Sequence, residues 1–155
     1  MIDLKELESA LLVKIHRNLG SLDDEHLQDD RVIPGIRENI TKDPASAKMY
    51  FSKYPAHICS RLFHSWKANL ERAKSVQYLI GVYPIGEDKL VIVGIVRPTQ
   101  WNRAGDRIFC IRANDAPQDI IDKYVGQVIS IKSGRWPLQY YTADKGLEEE
   151  PMADE

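Results

Sequence analysis

Little in this chain is extreme, and its shortages narrow the possibilities first. Its 155 residues include only two cysteines, Cys59 and Cys110, too few for a disulfide framework and without the C-x-x-C spacing of a metal knuckle. Both sit beside apolar neighbours, Ile58 for one and Phe109 and Ile111 for the other, which predicts buried thiols. His57 lies two positions from Cys59, and on a helix such positions do not face each other, so no nucleophile and base pair forms there. The longest nearly unbroken apolar run, Leu90–Val96, falls far short of the roughly 20 residues a membrane span needs. The first twelve residues carry acids where a signal peptide has a basic region. These shortages predict a soluble, cytoplasmic protein with no membrane partner. Glycine-rich phosphate loops (G-x-G-x-x-G or the P-loop), the H-E-x-x-H metal motif and the G-x-S-x-G nucleophile turn are all missing, so neither a cofactor nor a metal is expected.

Net charge is also small, −2, but that total conceals an uneven layout. Residues 42–74 hold seven Lys or Arg against two acids. The preceding segment, 1–41, is acidic by four charges, and the last ten residues by five. The basic stretch is interleaved with Tyr50, Phe51, Tyr54, Phe63 and Trp66. Cations alternating with aromatics suit a phosphate-bearing partner, and they also suit an ordinary amphipathic helix.

The pattern along the chain predicts helices first and strands later. Asp3 and Glu6 form a capping box, and Leu4, Leu7, Leu11, Ile15 and Leu19 then recur at helical spacing up to Gly20. Residues 21–43 read as a long surface connection. Asp43-Pro44 opens a short helix over 44–53, and Pro55 a longer one over 55–74. From Ser75 the runs become β-rich. Residues 76–85 and 90–97, separated by Gly86-Glu87-Asp88-Lys89, form a hairpin apolar on both faces, with Gly81 and Gly94 marking bulges or a close backbone approach. A polar loop over 99–106 leads to a third strand over 107–112. A short helix follows Pro117 and ends at Gly126, QVISIK makes a fourth strand, and RWPLQYYT makes a fifth, placed at the sheet edge by Pro137. The fold class is therefore α+β: N-terminal helices packed on one face of a mainly antiparallel four- to five-stranded sheet, with one short late helix. Residues 1–145 make a single domain, and the acidic tail 146–155 is disordered.

Two groups of side chains are candidates for a site. On the helix over 55–74, His57, Arg61 and His64 share a polar stripe, with Lys67 beyond it. The two histidines stand about 10 Å apart, too far to share a metal ion. The second group is Arg97, Trp101, Arg103, Arg107 and Arg112 with Lys132 and Arg135. Arginine suits bidentate phosphate binding. Residues 107 and 112 are an odd number apart, so on a regular strand they point to opposite faces. Trp101 is either a buried anchor or an exposed stacking platform.

Gly81-Val82-Tyr83 followed by Ile92-Val93-Gly94 resembles the opening hairpin of the GIY-YIG nucleases over about 14 residues. Ile92 stands where that family has its second tyrosine. The arginine-bearing helix that follows in the family is replaced by a segment holding Pro98 and Gly105, so no residue role transfers.

The function this predicts is binding of a nucleic acid, RNA rather than DNA, or of another phosphate-rich ligand. Ligand contacts fall to Arg61, Lys67, Arg97, Trp101, Arg103, Arg107 and Lys132. Its catalytic version is metal-independent RNA cleavage with His57 or His64 as base and an arginine stabilising the developing charge. The alternative is a protein-binding module, an inhibitor, immunity or adaptor protein, that uses acidic segments and exposed aromatics.

Overall fold

The computed structural model describes residues 4–14, 36–48, 66–67, 69–86, 88–130, 138–143 and 146–149. In chain order these form a 3₁₀ turn (Lys5–Leu7), β1 (Ser9–Lys14), α1 (Ile36–Lys42), β2 (Trp66–Lys67), α2 (Leu70–Lys74), β3 (Tyr78–Gly86), β4 (Lys89–Ala104), β5 (Arg107–Asp115), α3 (Gln118–Tyr124), β6 (Val128–Ser130), β7 (Leu138–Thr142) and β8 (Gly146–Glu149). All eight strands join one sheet, in the order β2-β5-β4-β3-β1-β7-β8, with β6 also against β4. Among the described residues no helix is long and apolar enough to cross a membrane.

The α+β character stands, and its details change. The sheet is mixed, because β1 runs parallel to β3 while its other neighbour, β7, is antiparallel. Helices are not gathered at the N-terminus, nor on one face. One face carries Leu11, Leu79, Val91 and Val93, packed against Ile40 of α1 and Ala73 of α2. The other carries Leu12, Ile80, Ile92 and Ile95, packed against Leu4, Leu7 of the 3₁₀ turn and Tyr124, the last residue of α3. Each fully buried Leu or Ile contributes about 1.5–3 kcal/mol of transfer free energy, so a sheet covered on both sides is the main source of stability.

The helix expected from Asp3 to Leu19 is replaced by a strand. Glu8 adopts φ 59 and stops the 3₁₀ turn. Ala10, Leu11, Leu12 and Val13 are then all fully buried, alternating between the two core layers. A helix would bury only one stripe of these residues; a central strand buries both sides. The start of β1 is fixed by two bonds to Gln77, whose backbone N–H donates to Ser9 Oγ at 3.0 Å and whose amide donates to Glu8 Oε2 at 2.9 Å. These hold the parallel β1–β3 register at its beginning.

Other expectations also shift. α1 lies in the segment read as a surface connection. After it, residues 44–48 make a helical turn in which Ser46 donates to the Asp43 carbonyl through both its N–H, 2.9 Å, and its hydroxyl, 2.7 Å. Of the helix expected over 55–74, residues 55–65 and 68 lie outside the described residues, and Trp66 and Lys67 are strand instead, paired with Ile108 and Arg107. Asn69 then caps α2 by accepting from the Arg72 N–H at 3.0 Å. β7, expected at the sheet edge, is interior, between β1 and β8. Gly146–Glu149, expected in a disordered tail, pairs with β7 as β8.

The β3–β4 hairpin forms as predicted, with Gly86 opposite Lys89. Val93 and Gly94 together oppose Gly81, the bulge the two glycines lead one to expect. β4's outer edge is shared. β6 covers it at Lys89–Val91, and β5 covers it from Val96 to Ala104. α3 bridges the gap between them. Gly126, at φ 90, returns the chain to the sheet by donating to the Ile92 carbonyl at 2.8 Å.

Candidate functional site

Beyond Val96, β4 has left β3 behind and, among the described residues, pairs with β5 alone. The stretch over 99–106, expected as a loop, is instead the strand end and turn of a two-stranded ribbon, about 25–30 Å long. Gly105, at φ 64, supplies the positive φ that a two-residue hairpin turn requires. Arg103 tightens that turn, its Nε donating to the Gly105 carbonyl at 2.9 Å.

Two neighbouring bulges decide which side chains share a face. Thr99 is the extra residue in β4, between the pairs Pro98–Ala113 and Gln100–Arg112. Ile111 is the extra residue in β5, between Gln100–Arg112 and Trp101–Cys110. Each bulge flips the in-and-out alternation of its own strand. The Cys110 thiol donates to the Arg112 carbonyl at 3.2 Å and ties the second bulge. Cys110 is buried, as expected, while Cys59 lies outside the described residues.

After these resets the ribbon sorts into two faces of four cross-strand pairs. The inner face holds Val96–Asp115, Pro98–Ala113, Trp101–Cys110 and Arg103–Ile108. Val96, Ile108 and Cys110 belong to the first core layer, and Trp101 and Ala113 pack against it. The outer face holds Arg97–Asn114, Gln100–Arg112, Asn102–Phe109 and Ala104–Arg107. Seven of these eight residues are exposed, and Phe109 is half-buried. Successive pairs on one face are about 7 Å apart, two residues of rise. None of the eight is acidic. Arg97 is steadied by its Nε, which donates to the Asp115 carbonyl at 3.2 Å.

Arg107 and Arg112, expected on opposite faces, therefore share one, because the Ile111 bulge lies between them. Arg97 joins them through the Thr99 bulge. Lys67 occupies the register position beside Arg107. It is carried by a strand, not by the expected helix. Arg103 falls on the other face and serves the turn. Trp101 is half-buried against the first core layer and anchors the ribbon. His57, Arg61, His64, Lys132 and Arg135 lie outside the described residues.

Sequence reasoning passed over Phe109, Gln100, Asn102 and Asn114. The available signal was the alternation in RIFC, where Arg107 and Phe109 fall opposite Ile108 and Cys110. Its reversal at Ile111 has no sequence mark. Compared with known proteins, the chain matches no family model, no curated protein and no solved structure.

Proposed function

We propose that this protein binds nucleic acid on the outer face of the β4–β5 ribbon. One observation carries the reading: paired bulges at Thr99 and Ile111 gather Arg97, Arg107 and Arg112 onto one acid-free face with Gln100, Asn102 and Asn114. Arginine forks match phosphate oxygens, and arginine and carboxamide side chains are also the groups that hydrogen-bond base edges. The apolar inner face fixes the ribbon to the core, so the outer face is presented on a rigid support. Among the described residues this face holds no histidine or carboxylate to act as a base. Binding, with RNA the favoured ligand, is therefore the function proposed for it.

The test is the affinity of the wild type for single- and double-stranded RNA and DNA at ~50 mM salt, where phosphate contacts remain strong. Arg112→Ala and Arg107→Ala weaken binding without unfolding the protein. Each lost phosphate contact lowers the slope of log K against log salt by roughly 0.7–0.9. If the wild type binds none of the four ligands, the nucleic-acid reading ends, and a protein partner takes its place.

A further inference from the structure

Resting on that reading, we infer that the ligand is a single strand, one of whose bases stacks on Phe109 between phosphates held by Arg107 and Arg112. Phe109 is the one large aromatic on the ribbon's outer face. It is half-buried and, among the described residues, it is not part of either core layer, whereas Trp101 packs against the first. A partly exposed ring flanked by cations on an exposed strand face suits stacking with a base.

Its neighbours point to that use. Along β5, Arg107 lies one outer-face pair away on one side, about 7 Å, and Arg112 one pair away on the other, across the Ile111 bulge. Across the ribbon the partner is Asn102, whose Oδ1 accepts from the Arg103 N–H at 2.9 Å. That bond ties the Asn102 carboxamide to its own backbone. Gln100, exposed opposite Arg112, and Asn114 beyond it place carboxamides further along the same face.

A duplex presents phosphates and groove edges, while its base faces are consumed by stacking on each other. Only an unpaired strand offers a base face to an aromatic ring. A strand laid along the ribbon meets a cation, a ring, a second cation and then carboxamides in turn. This order supports backbone contact at both arginines and stacking between them. RNA and single-stranded DNA share this chemistry.

The experiment compares one unstructured 12-nucleotide strand, as RNA and as DNA, with the duplex of the same sequence and with inorganic polyphosphate, titrated against wild type and variants. Phe109→Ala is expected to weaken single-strand binding about 5- to 150-fold and to leave duplex and polyphosphate binding unchanged. Phe109→Trp restores single-strand binding. Phe109→Leu keeps the apolar volume and removes the π face; it gives the same selective weakening and serves in place of the alanine variant if that variant does not fold. Arg112→Ala weakens all ligands. Single-strand affinity unchanged in Phe109→Leu while Arg112→Ala lowers it would overturn the stacking inference and leave the nucleic-acid reading standing. Tighter duplex than single-strand binding by the wild type overturns it as well. No binding of any nucleic acid by the wild type removes both.

Discussion

The two halves of β4 are one continuous strand with opposite duties. From Leu90 to Val96 every residue but Gly94 is buried, β3 lies on one edge, and core layers cover both faces. From Arg97 to Ala104 most residues are exposed, β3 is absent, and one face alone meets the core. The first half contributes stability through apolar area removed from water. The second half inherits rigidity from the first and uses it to hold polar groups in fixed order. Each half has its bulge, and the two act differently. The Val93–Gly94 bulge lies inside the core, between strands covered on both faces. The Thr99 bulge, matched by Ile111, sorts side chains onto a surface.

The largest effect expected from this contrast is on stability. Ile92→Ala, at a fully buried position in the first half, should cost about 2–5 kcal/mol by urea unfolding. Gln100→Ala, exposed in the second half, should stay within roughly 0.5 kcal/mol of wild type. Amide exchange should follow the same division, slowest across Leu79–Val82 and Val91–Ile95 and faster toward Gly105. Equal losses for the two variants, or rapid exchange in the first half, would break the comparison.

A smaller effect separates the two positive-φ glycines that serve these halves. A Cβ on Gly126 would stand 3.2 Å from the Cα and carbonyl oxygen of Ala45, and its φ is 90. Gly126→Ala should therefore destabilise by about 1–3 kcal/mol, combining backbone strain with a clash against main chain that cannot swing aside. Gly105, at φ 64, has nothing within 4 Å of that position. Gly105→Ala should show the backbone cost alone, about 1 kcal/mol, and act on the ribbon tip. Thermal melts of the two variants measure the difference, and a larger loss at Gly105 would show that the ribbon turn matters more to the fold than the return into β6.

The smallest effect lies on the helix-covered second face. Lys123 of α3 and Glu6 of the 3₁₀ turn pair at 2.7 Å, both about half exposed. Glu6→Gln should cost no more than about 1 kcal/mol, and the loss should shrink further in high salt. A loss that survives high salt would mean that this contact, and not apolar packing, holds α3 to the sheet.

Local chemistry made part of this molecule legible. Gly86-Glu87-Asp88-Lys89 between two apolar runs specified the β3–β4 hairpin, because a turn needs particular residues and a strand a particular period. Pro117 and Gly126 bracketed α3 for the same reason. The arginine-rich segment between Arg97 and Arg112 stood out by composition, so the region of the candidate site was visible before its geometry.

Long-range pairing decided the rest. Leu4, Leu7 and Leu11 carry a helical period, yet β1 is a strand, since a slot between β3 and β7 buries Ala10 through Val13 on both sides and a helix there would not. The polar segment after Pro98 reads as a loop, yet it is strand because β5 is there to pair with it. Most of all, the side to which Arg97, Phe109 and Arg112 point depends on the Thr99 and Ile111 bulges. A bulge is a property of two strands in register, and a sequence lists each strand alone. Composition by itself determined that cations and carboxamides lie near each other in the chain. Only the tertiary structure decided that they share a face, because one extra residue between ladder bonds reverses every side chain beyond it.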